Sequence, residues 1–416
     1  MFVERELKNG IRFYGEKMDN MRSVTMGIWV KAGSVTENEK ENGMSHFIEH
    51  MLFKGTKNRT YRQIAEEIDN IGGQSNAFTA KECTCYYTKV IDDRRDVATD
   101  VLCDMFCNSL FPDEEMEKEK GVVLEEISMS VDNHEDVVHE KLSEAFFAGT
   151  PLAKTILGPA DNVRNFTKDA LMKYKSEKYT VENIIFVAVG NFDEKELARE
   201  LEEKLTAPKQ GKPPVDKISP KWQTTPAFAA VDRDIEQFHI ALATPAFSFN
   251  DKEKYALSIV SNIFGGTMSS RLFQRIREEL GMAYSVYAYS SSYAETGVFS
   301  VYAGTSKDKG KTVLQEILKE MERMKEKRIT KQELENAKNQ IRGTYILGQE
   351  SGAARMNSIG KNVLLGQGPM SEEKVLKAID DVDMDMIETV LDRVFDTELM
   401  SGAVVGKGVD ESFFKL

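Results

Sequence analysis

The sequence predicts an α+β protein built from two homologous domains, and three observations support that prediction. Stretches in which apolar and polar residues alternate, typical of half-buried strands, are interspersed with longer stretches of helical periodicity. Prolines and glycines crowd into one polar segment at the middle of the chain, which indicates a linker. The second half then repeats the order of elements in the first. We expect domains at residues 1–207 and 221–416, each an antiparallel or mixed sheet with helices packed on it, and a linker at 208–220.

The first half predicts an ordered series of strands and helices. Thr60 and Gln63 have the spacing of a capping box that opens a helix, and Gly72-Gly73 closes that helix. In chain order, we expect a strand at 24–30, a helix at 41–53, the capped helix, strands at 75–80 and 84–91, helices at 94–108 and 113–131, a strand at 184–189 and a helix to about 205.

The two halves resemble each other in the order of their elements. Residues 27–56 contain a strand, an acidic loop and a helix, and residues 240–267 contain the same series. An internal duplication accounts for this similarity, and two α+β domains of merely similar composition are the alternative. In this register, the second half lacks the ionisable residues of the first: Leu257, Val260 and Ser261 stand in the places of His46, Glu49 and His50.

The composition argues against several classes of protein. The net charge of −13 disfavours nucleic acid as a partner. No run of about 18 apolar residues exists, so we expect no membrane-spanning helix. Residues 1–6 resemble neither a signal peptide nor a transit peptide, and the four cysteines fit a reducing compartment. The expected location is therefore cytoplasmic.

The segment from His46 to His50 is the most informative motif in the chain. On a helix the two histidines lie one turn apart on the same face, and Glu49 lies on nearly that face. This is H-x-x-E-H, the inverted form of the zinc-peptidase motif H-E-x-x-H. The flanking residues are apolar on almost every side, so the helix is expected to be buried, where imidazoles and carboxylates need partners. A zinc ion would provide a partner for all three side chains. The alternative, a helix whose polar face happens to carry two histidines, would leave them without one.

A catalytic zinc usually takes three protein ligands, and the acidic helix at 113–131 offers candidates for the third. Glu119 and Glu126 fall on one helical face together with apolar residues, while Glu125 points elsewhere. The pattern alone does not separate this interpretation from an ordinary charged helix. The remaining histidines show no local pattern: His134, His139 and His239.

Residues 46–56, with Glu126 further along the chain, closely resemble the insulinase/pitrilysin (M16-type) family of zinc metallopeptidases. The chain is most similar to the short members related to the β subunit of the mitochondrial processing peptidase. The resemblance covers nearly the whole chain, including residues 73–79 and 269–273.

The resemblance implies a zinc-dependent endopeptidase that hydrolyses unfolded peptides or presequences. It implies one zinc ion per chain, held by His46, His50 and Glu126, with Glu119 as a supporting carboxylate. Zinc would lower the pKa of a bound water, and Glu49 would take the proton of that water.

Two further segments resemble residues with which the family binds its substrate. In the second half, Arg275 and Tyr284 resemble a pair that grips the peptide near the scissile bond, with the tyrosine hydroxyl stabilising the oxyanion. Tyr287 is the fallback for the tyrosine, and a surface arginine with a core tyrosine is the alternative interpretation. The other segment resembles the edge strand with which the family pairs an extended peptide, and it consists of Asn76, Ala77, Phe78 and Thr79. The alternative interpretation is a structural strand that binds no ligand.

The resemblance also implies an assembly. Long family members form a clamshell of four similar domains around a chamber, so a chain with two such domains would be half a clamshell. A homodimer would complete the chamber, with Arg275 and Tyr284 contributed in trans. The alternatives are a non-catalytic scaffold and the catalytic subunit of a heterodimeric processing protease.

Overall fold

The computed structural model describes residues 2–208 and 226–415, and they form two compact units. Apart from Pro208, the linker expected at 208–220 lies outside the described residues. No helix in the described ranges is long and apolar enough to cross a membrane. Within these ranges each unit is made of three segments: 2–128, 154–208 and 347–369 for the first unit, and 129–153, 226–346 and 370–415 for the second.

The first unit is built on a six-stranded sheet. Its strands are β1 (Phe2–Glu6), β2 (Arg12–Lys17), β3 (Ser23–Val30), β4 (Gln74–Thr79), β5 (Thr84–Ile91) and β6 (Ile184–Gly190). They lie in the order β1-β2-β6-β3-β5-β4, in which only β2 and β6 are parallel. β6 is buried along its whole length, which explains why its sequence is continuously apolar rather than alternating. β4 lies at one edge of the sheet.

The second unit repeats this topology. Its strands are β7 (Phe228–Asp232), β8 (Gln237–Pro245), β9 (Ala283–Ser292), β10 (Gly297–Ser306) and β11 (Ser401–Gly406). Their order β7-β11-β8-β10-β9, with β7 and β11 parallel, matches β2-β6-β3-β5-β4 strand for strand. The mixed sheets with helices packed on them confirm the predicted α+β class, and the shared order supports the duplication.

Helices connect the strands in both units. In chain order they are α1 (Met44–Leu52), α2 (Tyr61–Asn70), α3 (Arg95–Asn108), α4 (Asp113–Asp132), α5 (His134–Phe146), α6 (Ala160–Asn165), α7 (Lys168–Lys178), α8 (Glu194–Lys204), α9 (Lys254–Ser261), α10 (Gly310–Lys327), α11 (Lys331–Gly348), α12 (Gly352–Leu364), α13 (Glu372–Asp380) and α14 (Met384–Val394). Thr60 and Gln63 form the expected capping box at the start of α2.

The helices α1 and α9 follow corresponding strands, β3 and β8, in the two units. In α9, Leu257, Val260 and Ser261 are all buried, and the two apolar residues belong to the core of the second unit. The positions that carry ionisable side chains in α1 therefore serve packing in α9.

One helix in each unit comes from the opposite half of the chain. The helix α12 packs against the first sheet, where Met356 and Val363 share a core with Trp29. Gly360 lies so close to the Trp29 ring that an added Cβ would come within 2.3 Å of it. The helix α5 packs on β8 and β11 of the second unit.

This exchange corrects the contiguous domains expected at 1–207 and 221–416. Residues 129–153 belong to the second unit, and residues 347–369 belong to the first. The physical reason is that an amphipathic pattern identifies the buried face of a helix but not the sheet that covers it.

Candidate metal centre

The helix α1 carries the H-x-x-E-H motif on the one side that does not enter the core. It begins after Gly43, whose φ of 97° is readily adopted by glycine. Phe47, Ile48 and Met51 are fully buried in the core of the first unit. The histidines therefore lie on the remaining face, partly buried.

The structure brings together the three side chains that we expected to bind zinc. The Nε2 atoms of His46 and His50 lie 3.3 Å apart, and each is 3.6 Å from Oε2 of Glu126 on α4. Zinc binds nitrogen and oxygen at about 2.0–2.2 Å in a tetrahedron, which has edges of about 3.3–3.6 Å. Across the described residues, no other trio of His, Cys, Asp or Glu brings its ligand atoms within 4.8 Å of one another. The donor set therefore fits zinc.

Glu119 connects the centre to Lys54. Its Oε1 lies 2.8 Å from Nδ1 of His50, and its Oε2 lies 2.5 Å from Nζ of Lys54. Burial acts to raise the pKa of Glu119, but the hydrogen bonds to these two residues outweigh burial and lower the pKa. Because Nδ1 of His50 contacts this carboxylate, Nε2 is the atom directed at the other ligands.

The two histidines differ in their electrostatics. Burial, with a smaller effect of the His50 charge, lowers the pKa of His46 to about 4, so the ring is neutral at neutral pH. Burial also acts to lower the pKa of His50, but the hydrogen bond with Glu119 and the neighbouring carboxylates outweigh burial and raise it. Because a metal ligand must be deprotonated, zinc would compete with a proton at His50.

Glu49 is beside the ligands and is not one of them. Its Oε2 accepts a hydrogen bond of 2.5 Å from Thr79 Oγ1, which fixes the carboxylate at the end of β4. Burial raises the pKa of Glu49 and the charge of Glu126 adds to this, against opposing effects of Thr79 and His50. A carboxylate with a raised pKa next to metal ligands is suited to act as a general base.

The four residues expected to bind an extended peptide lie on the edge strand β4. Asn76 is exposed, Ala77 packs against the core, and the Phe78 ring lies 5.4 Å from the Trp29 ring. Thr79, at the end of the strand, contacts Glu49.

A cavity of about 580 Å³ lies beside the beginning of β4. Its wall combines residues that follow the motif, one side of α2 and the first residues of the strand. The main lining side chains are Phe53, Lys54, Tyr61, Ile64, Ala65 and Tyr87.

In the second unit, Arg277 rather than Arg275 is the neighbour of Tyr284. The guanidinium of Arg275 is held by Glu316 at 3.0 Å and by Glu279 at 2.9 Å. The Arg277 guanidinium lies 5.0 Å from the centre of the Tyr284 ring, and that tyrosine is 79% exposed.

The fallback tyrosine, Tyr287, is engaged inside its own unit. Its hydroxyl donates to Oε1 of Glu135 at 2.7 Å and lies 3.1 Å from Nε2 of His139. These hydrogen bonds make Tyr284 the better candidate for contact with a substrate.

Sequence reasoning missed Lys54 and Arg277. Lys54 lies just beyond the end of α1, so the helical period of the motif gave no signal for it. Arg277 and Arg275 both lie in the π-helical segment Phe273–Glu279, where the ordinary helical period does not assign faces correctly.

Two repeated α+β units, of which one carries an H-x-x-E-H motif with a distant glutamate beside it, are the features of the inverted zinc-peptidase class. Comparison with protein families agrees with this class. Residues 13–160 match the family described as "Insulinase (Peptidase family M16)", and residues 165–341 match "Peptidase M16 inactive domain".

Related proteins extend the similarity to nearly the whole chain. The "uncharacterized zinc protease YmxG" of Bacillus subtilis is 37% identical over 396 residues, which cover 93% of this chain and 94% of that protein. An "uncharacterized zinc protease" of Rickettsia bellii is 38% identical over 408 residues, 97% of each chain. The chain therefore belongs to peptidase family M16.

Solved structures agree on the fold. A protease from Helicobacter pylori superposes with a TM-score of 0.92 at 21% identity, over 98% of this chain and 99% of that one. A Pseudomonas fluorescens structure described as a peptidase M16 inactive domain has a TM-score of 0.88 at 17% identity, with 99% of both chains covered.

Proposed function

We propose that this protein is a zinc-dependent endopeptidase that hydrolyses extended, unfolded peptides. The single observation that carries the proposal is the arrangement of His46, His50 and Glu126 at tetrahedral separations, with Glu49 beside them. The non-catalytic scaffold loses support, because a scaffold has no need of a general base next to a ligand set.

Each side chain of the centre has its own role in this proposal. His46, His50 and Glu126 would hold one zinc ion, which supplies Lewis-acid polarisation of the scissile carbonyl and acidifies water when bound. Glu49 accepts the proton of the attacking water and then delivers it to the leaving amine. Glu119 holds the His50 ring in its orientation.

The substrate peptide would add to the free edge of β4. An edge strand presents unpaired backbone groups, and an extended peptide can pair with them whatever its side chains are. Thr79 links this strand to Glu49, so a peptide paired with β4 would pass directly by the base. The cavity lined by Tyr61, Ile64 and Tyr87 would then take an aromatic or large aliphatic side chain of the peptide.

The test is peptide hydrolysis measured together with zinc content. Purified wild-type protein should contain about one zinc ion per chain, cleave a quenched-fluorescence peptide library, lose activity in a chelator and regain it with added zinc. The variant His46→Ala should lose activity and retain only a residual affinity for zinc, because two of the three ligands remain. Cleavage that persists after complete zinc removal would overturn the proposal.

We further propose that the protein works as a homodimer that encloses its substrate in a chamber, with Tyr284 acting in trans. The exposed Tyr284 ring and the Arg277 guanidinium beside it support this role better than Arg275, which is held by Glu279 at 2.9 Å and Glu316 at 3.0 Å, whereas Arg277 has a longer ion pair with Glu278, at 3.9 Å. Their donors could stabilise the oxyanion of the peptide carbonyl.

Mixing two inactive variants tests the shared site. Glu49→Gln chains mixed with Arg277→Ala/Tyr284→Phe chains should recover activity, because one of the two sites in a mixed dimer would be intact. An Arg275→Ala single variant should retain most activity. A mixture that stays inactive although mixed dimers form would contradict a site completed in trans.

A further inference from the structure

The two histidines of the metal centre are oriented by different means. The His50 ring is fixed through its Nδ1, which lies 2.8 Å from Glu119. Nδ1 of His46 is buried, and the described residues give it no hydrogen-bond partner. Ligating histidines usually donate their second N–H to a neighbouring group, and this contact sets the ring orientation. No side chain among the described residues therefore orients His46 as Glu119 orients His50, and the backbone around His46 is the other feature that can position it.

That feature lies at the first turn of α1. Glycine at position 43 has no side chain with which to cap the helix, and the cap comes instead from Glu37, six residues earlier. The Glu37 carboxylate accepts hydrogen bonds from the backbone N–H of Gly43 at 2.8 Å and of Ser45 at 2.7 Å. It also accepts one from Asn42 Nδ2 at 3.1 Å. A carboxylate at this end of a helix is further stabilised by the helix dipole.

A second contact holds the same turn from the side. The hydroxyl of Tyr174 on α7 lies 2.8 Å from Oγ of Ser45 and 3.1 Å from Oγ1 of Thr36. Ser45 directly precedes His46 and is fully buried, as Tyr174 nearly is. Both the backbone N–H and the side chain of Ser45 are thus fixed by hydrogen bonds.

Close packing restricts the backbone at this point as well. A Cβ on Gly43 would come within 2.5 Å of the carbonyl oxygen of Leu157, so the helix start lies directly against the segment around Gly158. Glu37 is itself only 3% exposed, so its carboxylate depends on these N–H donors for its hydrogen bonds. Three hydrogen bonds, two from backbone N–H groups of the first turn and one from the Asn42 amide, restrain this carboxylate.

We propose that Glu37 is a positioning residue for His46. It fixes the first turn of α1 and thereby orients the His46 ring indirectly. Glu119 orients the His50 ring by direct contact. This inference rests on the proposed zinc centre, and it assigns a role to a residue that does not touch the ligand atoms. Tyr174 supports the same turn through Ser45.

The test compares zinc dissociation constants, measured by competition with a chromogenic chelator. Glu37→Gln keeps the size of the side chain but points an amide N–H at a backbone N–H, and it should weaken zinc binding about tenfold or more. Tyr174→Phe removes only a hydroxyl and should weaken binding by about two- to tenfold. Glu39→Gln is the matched control, because Glu39 is 91% exposed, and it should bind zinc as wild type does.

A second comparison separates positioning of His46 from a general effect on α1. In a His46→Ala background, Glu37→Gln should cause no further loss of residual zinc affinity, whereas in a Glu119→Gln background its effect should be additive. The absorption spectrum of the cobalt-substituted protein should also change in Glu37→Gln and not in Glu39→Gln.

Three results would count against the inference in different ways. Unchanged zinc affinity in both Glu37→Gln and Tyr174→Phe would overturn it, and so would an equal loss with and without His46. If the wild-type protein bound no zinc at all, the inference about Glu37 and the proposed function would both fail. If the Glu37→Gln protein does not fold, the zinc affinity and the cobalt spectrum of Tyr174→Phe test the inference instead.

Discussion

Oε1 of Glu119 lies 2.8 Å from Nδ1 of His50, so one buried carboxylate fixes the orientation of a candidate zinc ligand. The partner of its other oxygen is Lys54. This relationship gives the two glutamates on one face of α4 different roles in the proposed centre: Glu126 would supply a ligand atom, and Glu119 holds the ring of a ligand through a hydrogen bond.

Glu119→Gln should therefore weaken zinc binding without removing a ligand. The amide still fills the space but loses the charge that favours an N–H at Nδ1 of His50, and we expect about a 10- to 100-fold higher zinc dissociation constant. Glu125→Gln, on the exposed side of the same helix, is the control and should leave the constant unchanged. Equal constants for the two variants would refute the role given to Glu119.

Ala65→Trp should alter substrate preference by filling the cavity beside β4. Ala65 lines that cavity, and the indole would occupy the space proposed for a large apolar side chain. We expect KM to rise about tenfold for peptides with aromatic or large aliphatic residues, with little change for peptides of small residues. Arg62→Trp, on the exposed surface of the same helix, should affect neither group. A uniform rise for all peptides would show that the cavity does not select side chains.

Lys175 predicts a pH dependence of stability. The Nζ of Lys175 is buried beside Phe106 and donates a hydrogen bond to the carbonyl oxygen of that residue at 2.6 Å. Burial lowers the pKa of Lys175 from 10.5 to about 8. Between these values the unfolded chain binds more protons than the folded one, so the free energy of unfolding should rise from pH 8 to pH 10.5.

The variant Lys175→Met checks this directly. It removes the buried charge and should raise the free energy of unfolding at pH 7 by about 1–3 kcal/mol, with a smaller rise towards pH 10. Denaturant unfolding at the two pH values measures both effects. A less stable variant at pH 7 would mean that the hydrogen bond to Phe106 outweighs the burial of the charge.

The exchanged helices predict that a chain cut between the two halves stays together. With a specific protease site inserted between residues 209 and 225, the two fragments should co-elute on size exclusion after cleavage, because α5 and α12 are each buried in the other half's unit. Gly360→Leu should weaken this association, since an added Cβ would collide with Trp29. If the fragments of the cleaved protein without Gly360→Leu separated readily, the exchange of α5 and α12 between the halves would be contradicted.

Much of the fold and of the site could be predicted because the signals are local. His46 and His50 are one helical turn apart, and the pairing of Glu119 with Glu126 follows from the period of one helix. The strand near residues 75–80 and several other elements of the first half were also readable from alternation and turn residues, whereas the edge position of that strand was implied by the family resemblance.

The remaining features depend on tertiary packing or on irregular backbone. The exchange of 129–153 and 347–369 could not be predicted, because an amphipathic helix can cover the apolar face of either sheet. Resemblance alone pointed to Arg275, and the contact of Arg277 with the Tyr284 ring depends on the π-helical segment Phe273–Glu279, which has no marked sequence pattern. The cap by Glu37 joins residues six apart through a buried loop, which no periodic pattern indicates.

The central claim is that Glu49 is the general base of a zinc peptidase, and Glu49→Gln tests it most directly. Zinc content and peptide hydrolysis should be measured on the same preparations of wild type and variant. We predict equal zinc content, about one ion per chain, and a loss of hydrolysis of at least about a thousandfold in the variant. A Glu49→Gln protein that retains zinc and still cleaves peptides at the wild-type rate would contradict the claim.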